Sequence, residues 1–311
     1  MPEPLADIIR LLRPRAIFSK EISGAGRWAV RYAAFGQPAF CAIIEGRCRL
    51  AVDGEPAVVL EEGDFVLLPA TPAFSMSGLE PATPVLVDPA PDPAPGHLPP
   101  AAGSIRYGRR DGPADLRQFG GYFTFAAPDA AILVALLPRM IHVRGVPRLA
   151  QFVRILGEEA ADEAVGRDLI LARLVEVLLI EALRRSGGPD AAPGLLRGLA
   201  DPRIAAALRS IHRDPAHPWT VETLAREAGL SRSAFFDRFA RTVGFRPMEY
   251  LLTWRIAVAK DLMRSGAIAL DDVARRVGYG SASSFSAAFS RTAGEPPGRF
   301  MRRRGETIAS A

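Results

Sequence analysis

The spacing of apolar positions changes character twice along the chain. Between residues 4 and 13, Leu5, Ile8, Ile9 and Leu12 recur at helical intervals and stop before Pro14. From Arg27 to Met76 the period shortens to that of strands. Trp28 to Ala33, Phe40 to Ile44, Cys48 to Val52, Ala57 to Leu60 and Phe65 to Leu68 are short runs rich in Val, Ile and Phe. Turn signals at Glu45-Gly46, Asp53-Gly54 and Glu62-Gly63-Asp64 separate them, a pattern that predicts an antiparallel barrel or jelly roll. Residues 81 to 103 are crowded with Pro, Ala and Gly and read as a loop, after which Tyr122 to Phe125 makes one more strand. Helical spacing returns at Ala130 to Leu137, Leu149 to Ala160 and Asp168 to Arg185. The last of these is apolar on more than one face, so its spare face is expected to pack on another element or on a second subunit.

Gly187-Gly188-Pro189 and Pro193-Gly194 break the pattern, and beyond them every apolar run is helical. The expected fold class is therefore α+β. An antiparallel β-barrel with accompanying helices fills residues 1–186, a linker runs over 187–200, and an all-α domain occupies 201–304. Within that domain one pattern is written twice. Val221 matches Leu270, Ala225 matches Ala274 and Gly229 matches Gly278 at an offset of 49, while Phe235/Phe285, Phe239/Phe289, Gly244/Gly294 and Pro247/Pro297 match at 50. The one-residue slip falls in a turn, where an insertion does not rotate the side chains that follow. Gly229 and Gly278 end a first helix, and Ser231 and Ser281 stand where the N-cap of a second belongs. Each copy is thus a helix-turn-helix, and Met248 to Arg264 makes the helix that joins them.

Charge follows the same division. From Arg197 onward there are 18 Arg and 1 Lys against 11 Asp or Glu, a balance of +8, whereas the remainder carries −3. A basic half bearing a doubled helix-turn-helix is the footprint of a domain that grips a polyanion, here double-stranded DNA. Only two cysteines occur, Cys41 and Cys48, which excludes a disulfide scaffold and fits a reducing cytoplasm. With a two-residue hairpin at Glu45-Gly46 they would be diagonal neighbours, too far apart to bridge. No secretory signal and no membrane-spanning run is apparent.

The second helix of each copy supplies the groove-facing residues. In the first copy Ser233, Phe236 and Asp237 are placed to touch base edges, with Phe236 against a thymine methyl and Asp237 accepting from cytosine N4. Arg232, Arg238, Arg241 and Arg255 are assigned to phosphates. The second copy offers Ser283, Ser284 and Ser286, none of which makes a bidentate base contact, so most direct readout is expected from the first. Ala269 also leaves the second copy without the capping hydroxyl that Thr220 provides in the first.

These residues carry a family resemblance. Val221 to Gly229, Leu251 to Met263, Val273 to Tyr279 and Phe285 to Pro297 resemble the tandem helix-turn-helix domain of AraC/XylS-type bacterial transcription regulators. The stretch from Asp7-Ile8-Ile9-Arg10-Leu11-Leu12-Arg13-Pro14 through Ile141-His142-Val143-Arg144-Gly145 resembles the cupin-type sensor domain of one branch of that family. The resemblance implies a promoter-binding regulator, often dimeric, that answers to a small molecule or stress. Cupins are also metal-dependent enzymes, which supplies the competing reading. The family pattern would put His near Ala39, Cys41 and Phe74, with Glu45 as the carboxylate, and only Glu45 is present. No metal, cofactor or catalytic residue is assigned. The expected effector pocket is the barrel interior, with Trp28, Phe40, Cys41, Phe65 and Phe74, suited to an apolar or aromatic ligand.

Overall fold

The computed structural model describes residues 3–87, 105–125, 130–161, 164–185, 193–266 and 268–302. The chain divides into two compact units, one of residues 13–186 and one that combines residues 1–12 with 187–311. The sheet unit differs from the expected 1–186 at its N-terminal end. Helix α1 (Pro4–Leu12), read from the sequence as part of the barrel half, buries Leu5, Ile8, Ile9 and Leu12 in the unit that holds the repeats. Its apolar stripe needs a partner, and helices of that unit supply it.

The first unit is a curled sheet with helices on one face. Its strands are β1 (Pro14–Ala25), β2 (Ala29–Tyr32), β3 (Ala39–Val52), β4 (Val58–Glu61) and β5 (Phe65–Leu68). They continue with β6 (Phe74–Ser77), β7 (Val85–Val87), β8 (Ile105–Gly108), β9 (Leu116–Phe125) and, after helix α2 (Ala130–Val134), β10 (Ile141–Val143). The main path runs β7-β2-β6-β3-β9-β1-β8. Most pairs are antiparallel as expected, but β1 with β8 and β2 with β7, at the two ends of the path, are parallel. Helices α3 (Pro147–Ala161) and α4 (Arg167–Arg185) pack on each other and on the sheet.

Strand β3 organises this unit. The sequence predicts a hairpin at Glu45-Gly46; instead the chain runs straight through as one strand of 14 residues. Its first half pairs with β5 and β9 and its second half with β4 and β6, so a single strand serves both sides of the curl. A register shift between Ile43 and Glu45 bends it, and Gly46 adopts φ 78 beside the Asp115 carbonyl, where a Cβ has no room. The glycine that reads as a turn is a bulge at a barrel corner. The diagonal placement of the thiols fails with the hairpin. Cys41 and Cys48 lie on one strand; Cys48 belongs to the interior cluster built around Trp28, Val30, Ile43, Leu50, Leu60, Met76 and Leu116, and Cys41 packs against it.

Strand β1, from Pro14 to Ala25, has no counterpart in the sequence reading because it lacks clean alternation and begins at a proline. The strand expected at Tyr122–Phe125 extends back to Leu116, and β10 is a strand where none was expected. Most of the Pro-rich stretch 81–103 lies outside the described residues.

The second unit is helical: α5 (Leu195–Ala200), α6 (Pro202–Arg213), α7 (Val221–Glu227), α8 (Arg232–Val243), α9 (Pro247–Ser265), α10 (Leu270–Arg276) and α11 (Ala282–Ala293). Residues 297–302 are also helical. Part of the expected linker is structure, since α5 buries Leu195 and Leu196 and packs on α6 and α8. Helix α1 lies against α6 and α9. There the buried His212 ring stacks on Trp254 at 3.9 Å, while its Nε2 meets the Tyr250 hydroxyl at 2.8 Å and its Nδ1 faces the Asp7 carboxylate at 3.3 Å. Burial lowers the pKa of His212, and Asp7 and Glu3 oppose that shift.

Candidate functional site

The doubled pattern folds into two near-identical cores. Phe235 and Phe239 lie 5.5 Å apart at 56°, and Phe285 and Phe289 lie 5.6 Å apart at 55°. Phe239 meets Tyr250 edge-on at 5.8 Å, and Phe289 meets Phe300 edge-on at 5.6 Å. Tyr250 and Phe300 are themselves separated by 50, so the repeat extends further than the sequence reading carried it. Ser231 accepts from the Ala234 amide and Ser281 from the Ser284 amide, which caps α8 and α11 alike. Both helices end at left-handed glycines, Gly244 and Gly294.

With the phenylalanines turned inward, the opposite face of each helix is solvent-exposed. On α8 that face carries Ser233, Phe236 and Asp237, the three residues expected to read bases; Phe236 is 37% exposed despite its apolar ring. On α11 the corresponding face carries exposed Ser283 and Ser284, with Ser286 half-buried at its edge. Ser284 donates to the Ser281 carbonyl at 2.9 Å, which ties part of this short polar surface to its own helix turn. Helix α9 joins the motifs with 19 residues, about 28 Å of rise at 1.5 Å per residue, comparable to the roughly 34 Å between successive major-groove faces.

The four arginines expected at phosphates divide into two pairs. Arg241 is exposed near the end of α8, and Arg232 is exposed while pairing with Glu222 at 2.6 Å. Exposed pairs of this kind hold weakly and exchange readily for another anion. Arg238 and Arg255 have internal duties instead. Arg238 lies three residues after buried Phe235 and four before buried Thr242, which turns it toward α6. There it bonds the Asp201 carboxylate at 2.6 Å, and Asp201 in turn caps α6. Burial would raise the Asp201 pKa, but Arg238 and the Ile204 and Arg203 amides outweigh it and leave it lowered. Arg255 donates to the carbonyls of Pro215 and His217, at 2.8 Å each, and lies over the Tyr279 ring. It holds the loop that leads into the first motif, and burial depresses its pKa. The residue the sequence reading missed is Arg291, exposed on α11 and 50 positions after Arg241. The repeat offset itself was the signal that identifies it.

In the sheet unit the five expected pocket residues do not share one face. Trp28 belongs to the interior cluster, and Cys41 and Phe74 pack against it. Phe40 and Phe65 stack on each other at 6.4 Å, and Phe40 also lies 6.4 Å from Phe123. Strand alternation explains the split: Phe40 adjoins Cys41 and Phe65 adjoins Val66, so each points away from the interior that its neighbour faces. At the edge of the interior cluster, Trp28 stacks on Tyr107 at 5.7 Å and Tyr32 on Phe74 at 4.8 Å, while the two tyrosine hydroxyls meet at 2.9 Å. Burial raises the Cys41 thiol to about 12 and raises Cys48 as well, so both are held protonated and poorly nucleophilic.

Glu45, the carboxylate of the metal pattern, is exposed and pairs with Arg117 at 3.1 Å, and Arg117 also bonds Glu21 at 2.9 Å. These three line an outer cleft of about 600 Å³ with Phe119, Arg154 and Glu158. Among the described residues no group of three His, Cys, Asp or Glu side chains is placed to hold a metal. His142 instead bonds the buried Asp64 at 2.9 Å, and Asp64 also accepts from the Gly145 and Glu61 amides. No helix among the described residues is long and apolar enough to cross a membrane.

Comparison with known proteins agrees with this geometry. The cupin family model matches residues 3–186, and a helix-turn-helix domain model matches residues 224–303. A putative AraC-like transcription regulator from Streptomyces lividans is 37% identical over 310 residues, spanning 96% of this chain and 98% of that protein. One from Streptomyces antibioticus is 37% identical over 314 residues, with the same two shares. ToxT from Vibrio cholerae O395, a solved structure, superposes with a TM-score of 0.38 at 12% identity, over 93% of this chain and 97% of its own. A duplicated helix-turn-helix with both outer faces free, preceded by a cupin sheet and matched end to end by such relatives, places this chain in the AraC-like family of DNA-binding transcription regulators.

Proposed function

We propose that this regulator reads its operator chiefly through α8 and holds it through α11, under control of a small molecule bound in the cupin sheet. The observation that carries the asymmetry is the contrast between the two exposed faces. Helix α8 offers an acceptor at Asp237 and, at Phe236, an apolar ring suited to a thymine methyl, whereas α11 offers hydroxyls at Ser283, Ser284 and Ser286. Short hydroxyls accept or donate to any base and so discriminate little. Arg232, Arg241 and Arg291 contact phosphates, while Arg238 and Arg255 support the motif from within.

The sheet unit binds rather than catalyses. Its matching metal-site carboxylate, Glu45, is engaged outside the interior by Arg117. The effector occupies the interior beside Trp28, Cys41 and Phe74, with Phe40 and Phe65 as packing behind it. The protein works in the cytoplasm, where Cys41 and Cys48 stay reduced. It pairs as a homodimer through α4, whose outer stripe leaves Leu169 64% and Ile170 45% exposed beside the Arg173–Glu176 ion pair.

The test is a binding selection on operator DNA with one half randomised at a time. Randomising bases under the first motif is expected to cost more affinity than randomising those under the second, and equal losses refute the asymmetry. Sedimentation of the chain with Leu169→Glu and Ile170→Glu, expected as a monomer, checks the α4 contact.

A further inference from the structure

We infer that Gln118 is the polar anchor for the effector, and that the effector is a neutral, largely apolar molecule with one O–H or N–H donor. This rests on the reading of the sheet interior as the sensing site. Gln118 sits on β9 opposite Ile22 and Ile43, two positions after Leu116, and so faces the same interior as Leu116. It is 2% exposed. Its Nε2 donates to the Met76 thioether at 3.7 Å, a weak acceptor, and its Oε1 has no hydrogen-bond partner among the described residues.

A buried amide oxygen without a donor is destabilising, and native structures keep few of them. Reversing the amide does not remove the problem, because it sets two lone-pair-bearing atoms, oxygen and sulfur, against each other. The surroundings then define what would satisfy the oxygen. Trp28, Val30, Ile43, Leu50, Met76 and Leu116 are apolar and compensate no charge, so an ion is excluded by its desolvation cost. A neutral donor on an apolar or aromatic body meets both demands. Met76, with three rotatable bonds and a soft sulfur, is the side chain that yields space, and half-buried Tyr32, Phe74 and Tyr107 line the edge of the cluster through which the molecule passes.

The experiment uses the full-length protein with phenol and toluene, two probes of one shape that differ in the donor. Wild type is expected to bind phenol at least about tenfold more tightly than toluene, the worth of one hydrogen bond to a buried acceptor. Gln118→Leu is expected to lose that preference while melting at a higher temperature than wild type, since it removes an unsatisfied polar group from an apolar core. Three results overturn the assignment: Gln118→Leu melting below wild type, which shows the oxygen already satisfied by water; equal binding of the two probes by wild type; or a phenol preference that survives in Gln118→Leu. If neither probe binds wild type or variant while operator binding persists, the reading of the interior as a sensor falls too. Toluene binding without a phenol preference removes only the role of Gln118.

Discussion

The two helix-turn-helix motifs share a core and differ in almost everything around it. Ring distances and angles of the phenylalanine pairs agree within about a tenth of an ångström and a degree. Their supports do not agree. Helix α7 starts with a capping box in which Thr220 and Thr223 each satisfy the other's backbone amide, while α10 starts at Ala269 with no side-chain cap. The Phe239–Tyr250 pair is backed by the buried imidazole of His212, whereas the Phe289–Phe300 pair has the buried ammonium of Lys260 over both rings. Duplication preserved the packing problem that each motif must solve and released the surfaces and supports to specialise.

The comparison breaks most visibly at the cores. Phe235→Ala and Phe285→Ala each remove a fully buried ring and are expected to destabilise the helical unit by about 3–5 kcal/mol, to similar extents, as read by denaturant titration. A twofold difference in loss would show that the two cores are not equivalent. Next comes readout. Asp237→Ala is expected to cost about 1–3 kcal/mol at its cognate base and to relax specificity there, while Ser283→Ala changes the selected sequence little. A comparable shift from both substitutions would remove the asymmetry between α8 and α11.

Smaller effects sharpen the contrast. Thr220→Ala is expected to cost about 1 kcal/mol, and Ala269→Ser to return a few tenths to 1 kcal/mol by capping α10. Calorimetry of the two variants measures both. The pH dependence separates the supports. Because burial lowers the pKa of His212 in the folded state, the unfolded chain binds its proton first as pH falls. Stability associated with His212 is therefore complete above the unfolded value near 6.5 and declines as pH drops from there toward the folded pKa. His212→Phe should flatten that decline between pH 7 and 5, and an unchanged slope would assign the decline to other groups.

Much of the helical unit was legible because its information is local and stated twice. Caps, turn glycines and i,i+4 phenylalanines act within a few residues, and the offset of 50 let each copy confirm the other. The curled sheet was less legible. Glu45-Gly46 has the composition of a turn, yet whether a glycine with positive φ closes a hairpin or bends a continuous strand depends on what lies beside it, here Asp115, just ahead of β9 and far along the chain. Four of the five expected pocket residues are aromatic, but the pleat, not the residue type, sorts all five onto two faces. Arg238 and Arg255 show the same limit in the helical unit. A guanidinium on a recognition or joining helix looks available for phosphate until Asp201, Pro215 and His217 are seen to take it.

By itself, the amino-acid order determined the class of each half, the duplicated motif, the inward phenylalanines and the exposed outer face of each second helix, because those follow from periodicity and capping within single elements. Only the tertiary structure decided that α1 belongs with the helical unit, that β3 runs through its glycine, and that Gln118 points into an apolar interior an oxygen with no partner among the described residues. Each of those outcomes depends on contacts between residues distant in the chain. No local pattern encodes them, because the partner that satisfies a stripe, a carbonyl or an amide is chosen when the chain closes on itself.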